Sequence, residues 1–200
     1  VLHLNSNKVD DSMWVAVKIV ITELDDIIGN IVKATNNQTE VQQIQLLSMS
    51  DYQELLESFY ANYDEAYNLY YERRSGQYNY NNNIEKSKII DPEMQIRAFA
   101  SVFLEAPHRA SRYYGSLIDD IGKDGDSDMS KGIFISGQRP IIYYTSGLLL
   151  HILENSFTND HIEDKYAKLK YHILYMISKL IWKNEKKPSF NSIKIDDYCK

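Results

Sequence analysis

The chain has 200 residues, a formal net charge of −6, 44 % apolar and 25 % charged residues. That is the balance of an ordinary globular protein with enough length for one sizeable core. It speaks against a wholly basic, nucleic-acid-binding surface while leaving room for a local basic patch.

The single cysteine, Cys199, excludes an internal disulfide framework and fits a reducing, cytoplasmic setting. No run approaches the roughly 18 uncharged apolar residues of a membrane span; the longest, Leu148 to Leu153, is interrupted by His151. We expect no signal peptide, and the start at Val1 leads us to expect a fragment or processed piece of a longer protein. The abundance of Tyr, Asn, Ile and Lys fits an AT-rich coding sequence and carries no functional weight.

Trp14 to Thr22, WVAVKIVIT, alternates β-branched residues and predicts a mostly buried strand. Thr22 and Asp25 form a capping-box-like start to a helix through Leu24, Ile27, Ile28, Ile31 and Val32. That helix stops at Thr35, where five amide or hydroxyl side chains in a row compete with the backbone. Ser50 is an N-cap candidate for a second helix running through Leu55, Leu56 and Phe59 towards Tyr63. The tyrosine-rich segment from Tyr67 to Asn83 reads as a short strand or hairpin followed by a surface loop at Asn81 to Asn83. Asp91-Pro92 is an N-cap with proline at the first helical position, opening a helix through Ile96, Phe99, Val102, Phe103 and Leu104. Pro107 ends it or starts another short one. Residues 122–132 form a polar loop, and a buried helix follows from about Pro140. The last helix spans about Ile162 to Lys183, with Tyr166, Leu169, Ile173, Met176, Ile177 and Leu180 expected to face inward. The fold class is mainly α with a minor β component, a helical domain with a short N-terminal strand or hairpin region. No internal repeat or interdomain linker is visible.

Several chemical patterns fall short. Asp124, Asp126 and Asp128 have the spacing of half a calcium loop, but Met129 and Ile135 stand where the motif needs Gly and Glu. The five histidines show no paired metal-ligand spacing, and His151, in an apolar helix, reads as a satisfied core histidine. No nucleophile elbow, P-loop or dinucleotide turn occurs. Asp25/Asp26 and Asp119/Asp120 sit at ordinary surface positions, and Lys18 lies on a strand without the carboxylate a metal-dependent nuclease needs. We expect no catalytic residue, metal site or cofactor. Arg73 and Arg74 beside Tyr70, Tyr71 and Tyr78 are a candidate phosphate or nucleic-acid contact; the alternative pairs them with Glu72 or Glu65 while the tyrosines pack on a helix. Lys165, Lys168, Lys170, Lys179, Lys183, Lys186 and Lys187 make the terminal helix cationic, whereas residues 22–65 are largely acidic, an asymmetry able to steer a partner or self-association.

The strand WVAVKIVIT, the helix ending in IVKATNNQTEV, the helix near YQELLESFY and then YYERRSGQY together resemble the abortive-infection phage-resistance (AIPR) family of bacterial defence proteins. The matching patterns are V-x-V-K-I, A-T-N-x-Q and aromatic-E-R-[RK]-x-G, followed by Ala106, Pro107 and Ala110 in a small–Pro–x-x-Ala pattern and by GIFISGQRPIIYYTSGLLL. The likeness covers residues 12–155; residues 156–200 are a further helical region of what we expect to be a single domain over 1–200. It implies a role in phage exclusion. The family's upstream N-G-x-Q-T motif is absent here, so the expectation is the C-terminal portion of an AIPR-type protein.

The leading expectation is a binding or scaffolding domain. Asn36, Asn37 and Gln38 would fasten an upstream domain of the same protein or a nucleotide-like ligand, because an uncharged amide offers both donor and acceptor. Arg73 and Arg74 would contact phosphate. The alternatives are part of a nuclease whose catalytic residues lie upstream, and a helical module that forms homo-oligomers through its tyrosine-rich surface. No membrane partner is expected.

Overall fold

The computed structural model describes residues 50–63, 67–123, 129–183 and 185–200, which belong to one compact unit. The expected strand at 14–22, the helix after it, Asn36, Asn37, Gln38 and the Asp124, Asp126, Asp128 triplet lie outside the described residues. Within them the fold is mainly helical with a minor β component. The helices are α1 (Asp51–Tyr63), α2 (Pro92–Val102), α3 (Pro107–Arg112), α4 (Tyr114–Ile118), α5 (Ile141–Thr158), α6 (Lys170–Ile181) and α7 (Lys194–Tyr198). Two short strands, β1 (Tyr70–Tyr71) and β2 (Ile89–Ile90), pair in parallel, Tyr70 opposite Ile89 and Tyr71 opposite Ile90. The tyrosine-rich segment is therefore half of a parallel ladder and does not fold back as a hairpin.

Local signals explain the best-defined boundaries. Asp91 caps α2 by accepting the Met94 amide at 2.8 Å, with Pro92 in the first turn where its missing N–H costs nothing. α2 ends at Val102, the chain then turns at Glu105 with a φ of 54°, and Pro107 opens α3. α1 starts after Ser50, yet the Ser50 hydroxyl is buried without a hydrogen-bond partner among the described residues, so it is no side-chain cap.

α2 is the centre of the domain. Gln95, Ile96, Ala98, Phe99, Ala100, Ser101 and Val102 are all buried, and the small residues let α3, α5 and α6 pack against it. Aromatic rings fill the space between α2 and α5: Tyr143 is stacked between Phe99 at 4.4 Å and Phe134 at 4.9 Å, and Phe190 meets Phe99 edge-on. The loop before α5 is folded around the buried side chain of Gln138. Its Oε1 accepts from the Ile135 amide and the Tyr143 hydroxyl, and its Nε2 donates to the Met129 and Gly132 carbonyls. Gly132 is required there, because a Cβ would lie 2.2 Å from the Lys123 carbonyl oxygen.

α6 is rotated relative to the sequence expectation. Tyr171, Leu174 and Ser178 face the core. Tyr166, Leu169, Met176 and Leu180, expected inside, are exposed, while Ile173 and Ile177 are half-buried. The segment is apolar nearly all round, so spacing alone marks two possible faces, and tertiary packing against α2 and α3 chooses the other one.

Candidate functional site

A polar network without charges joins α1, α2 and α5. The Tyr60 hydroxyl donates to Gln95 Oε1 at 2.5 Å and lies 3.2 Å from the Tyr143 carbonyl oxygen. Gln95 Nε2 donates to that same carbonyl and to Ser146 Oγ. Gly147 makes the approach possible, since a Cβ would sit 2.4 Å from the Tyr60 oxygen. A second pair, Tyr71 to Gln53 Oε1, ties β1 to α1. Burial raises the pKa of the Tyr60, Tyr71 and Tyr143 hydroxyls, so they stay protonated as donors and cannot serve as bases near neutral pH. His151 is a core histidine with both ring nitrogens engaged, Nδ1 on the Ser87 carbonyl at 2.8 Å and Nε2 on the Asn155 amide at 3.0 Å.

The two arginines separate. Arg73 is buried, with Nε 2.8 Å from Glu57 and Nη1 3.2 Å from Glu54, both on α1. Gln77 bonds Glu57 too, and its Oε1 accepts from the Arg74 amide. Tyr71, Arg73 and Gln77 thus clasp the YYERRSGQ segment onto α1 through Gln53, Glu54 and Glu57. A phosphate contact by Arg73 would require breaking both ion pairs. Arg74 is half-buried on the same loop. Asn36, Asn37 and Gln38 are not placed by the described residues.

Among the described residues, one open feature is a cleft of about 400 Å³. Its walls are Tyr63 at the end of α1, then Tyr67, the outer face of α5 (Tyr144, Thr145, Leu148, Leu149) and the end of α6 (Ile181, Trp182). Cys199 and Lys200 close it. The C-terminal segment is held there by Trp182 Nε1, which donates to the Tyr198 carbonyl at 2.7 Å, and by the stacking of those two rings. A smaller cavity of about 200 Å³ adjoins it, shares Tyr63 and Lys200, and is bordered by the Arg139–Asp196 ion pair that ties the α5 entrance to α7. Burial pushes the Cys199 thiol up to about 12, so at neutral pH it is a poor nucleophile. The larger cleft is lined by aromatic and aliphatic carbon with one ammonium at its edge, a surface made to hold an apolar or aromatic group rather than to transfer protons.

A separate charged cluster joins the end of α2 to α6. Glu105 accepts from Lys179 at 2.8 Å and Lys187 at 2.6 Å, which lowers its carboxyl pKa. Lys187 also donates to the Phe103 carbonyl, and burial lowers its own pKa. Among the described residues, no group of three or more His, Cys, Asp or Glu side chains converges to hold a metal, and no helix is long and apolar enough to cross a membrane.

Sequence reasoning missed Gln53, Gln95, Gln138 and Gly147. The one available signal was position: Gln95 precedes Phe99 by four residues and Val102 by seven, which puts it on the apolar face of α2.

Comparison with curated proteins and with solved structures gives no significant match. A family profile described as AIPR protein matches residues 1–197, nearly the whole chain. The chain therefore belongs to the AIPR family, which connects it with abortive-infection defence against phage.

Proposed function

We propose that the described domain serves AIPR-type defence as a binding module that captures an apolar or aromatic element in the cleft between α1, α5, α6 and the C-terminal segment. The observation that carries this reading is the contrast between the interior and the cleft. Inside, the Tyr60 and Tyr143 hydroxyls, the Gln95 and Gln138 amides and His151 are engaged with one another or with backbone, whereas the cleft presents Tyr67 and Ile181 partly exposed beside Leu148. Phosphate contact fits less well, because Arg73 is engaged with two acids of α1.

The test is phage plating on cells producing the full protein with Leu148→Arg or Ile181→Arg. Each puts a long cationic side chain across the cleft from a partly exposed position. Loss of protection with an unchanged melting temperature supports the reading. Full protection by both variants refutes it.

A further inference from the structure

We infer that the outward face of α6 is a second docking surface, distinct from the cleft, for an amphipathic helix of a partner protein carrying acidic residues beside its apolar stripe. Leu169, Ile173, Met176 and Leu180 follow one another at intervals of four, three and four residues. At about 100° per residue the three within α6 fall within an arc of roughly 60°, the narrow stripe by which one helix meets another, with Leu169 at its N-cap. The stripe points away from the core, since Tyr171, Leu174 and Ser178 occupy the opposite side. Leu169 is 49 %, Met176 61 % and Leu180 76 % exposed, with Ile173 half-buried between them.

The exposed area is large for a surface without a function. Tyr166 at 43 % extends the patch at its N-terminal end. Taking roughly 200 Å² for a fully exposed large side chain, these residues present on the order of 500 Å². That is near the upper limit for the largest apolar patch on an ordinary monomer. It is also most of the ~800 Å² per partner of a standard interface, leaving a polar rim to supply the rest.

Charge chooses the occupant. From Lys165 to Lys183 there are five lysines and no acidic residue, in a chain whose net charge is −6. Lys165, Lys170 and Lys179 are bridged to Glu163, Glu154 and Glu105, all outside that stretch. Lys168 and Lys183 are exposed at the two ends of the stripe and make no ion pair among the described residues. A parallel second copy would set Lys168 against Lys168 and Lys183 against Lys183, which disfavours in-register self-pairing. A partner helix with Glu or Asp beside its stripe meets complementary charge. The apolar stripe then supplies most of the affinity. The exposed lysines act mainly on discrimination, at about twofold to fivefold per pair.

The test uses the full chain and two labelled synthetic helical peptides of about 20 residues, identical at their apolar heptad positions. One carries Glu on its flanks and the other Lys. Fluorescence anisotropy at low salt should show the acidic peptide binding about tenfold or more tighter, with the preference shrinking as salt rises. Met176→Glu and Leu180→Glu should abolish binding without lowering the melting temperature, since both side chains already face water. Lys168→Glu with Lys183→Glu should reverse the preference. Leu148→Arg in the cleft should leave peptide binding intact, so the two readings fail separately. Equal affinity for the two peptides, no binding of either, or insensitivity to Met176→Glu overturns the inference. So does a concentration-dependent dimer in light scattering that Leu180→Glu abolishes, which would assign the face to a second copy.

Discussion

Replacing Gly147 by alanine tests whether the neutral network holds α1, α2 and α5 together. An alanine in the middle of α5 is favoured over glycine by about 1 kcal/mol on backbone grounds alone. Against this, the new methyl group would sit 2.4 Å from the Tyr60 oxygen, far inside contact distance. The phenol must retreat, and Gln95 Oε1 then loses the donor it has at 2.5 Å in a fully buried setting. Leaving a buried acceptor without its partner costs about 1–3 kcal/mol. Crowding a packed core costs about 1–3 kcal/mol more. The net expectation is a loss of about 1–5 kcal/mol, seen as a lower urea midpoint with an unchanged slope.

The same geometry predicts how that loss should be rescued. In a Tyr60→Phe background the clashing oxygen is gone, and the next neighbours of the new Cβ are Gln95 Oε1 at 3.4 Å and the ring carbon Cζ at 3.6 Å, which are tolerable contacts. Gly147→Ala should then be neutral or stabilising, although Tyr60→Phe alone is destabilising. The double-mutant cycle should yield a coupling of about 1–3 kcal/mol. If Gly147→Ala costs the same in both backgrounds, the Tyr60 hydroxyl is not what demands a glycine, and the network argument fails.

Arg73→Ala should destabilise the full chain by about 1–2 kcal/mol in chemical denaturation, because a largely buried guanidinium leaves two α1 carboxylates without their counter-charge; a variant as stable as the parent would show that the clasp on α1 is dispensable. Cys199 should react with a thiol reagent at pH 8 much more slowly in the native chain than in urea, since partial burial raises its pKa to about 12; equal rates would refute the raised thiol pKa. Glu105 has a depressed folded-state pKa, so the stability it contributes is present above the ordinary carboxyl value of 4.5 and is lost as pH falls through the lower folded value. The stability gap between the parent and Glu105→Gln should therefore narrow on acidification below that range, and a gap that stays constant from about pH 6 to pH 3 would exclude the linkage.

What the sequence revealed depended on how local the cause was. The start of α2 was legible because Asp91 and Pro92 act within one turn, and Pro107 is likewise a local signal. The tie of Arg73 to α1 was not, because Glu57 and Glu54 lie 16 and 19 residues upstream on a helix. The inward face of α6 was misread for a different reason. Its apolar residues satisfy helical spacing on two faces, and the narrower Tyr171, Leu174, Ser178 side won because it fits against the small-residue surface of α2. The cleft had no sequence signature, since its walls come from α1, α5, α6 and the C-terminal segment. The family resemblance drew on order and spacing of segments, which is why it survived these local errors.

The buried polar network and the cleft are mechanically one object. Tyr60 is fixed by its hydroxyl to Gln95, and its ring lies 4.9 Å from Tyr144, which in turn meets Tyr63 at 4.8 Å. Tyr144 and Tyr63 are walls of the cleft. An uncharged anchor suits this position, because a tyrosine–glutamine pair imposes direction without the several kcal/mol per ion that burying charges would cost. A hydrocarbon in place of Tyr60 would fill the same volume but leave the register of α1 against α5 free to slide, and the two cleft walls ride on those helices. The glycine at 147, the glutamine at 95 and the phenol at 60 therefore set the width of a site that none of them lines.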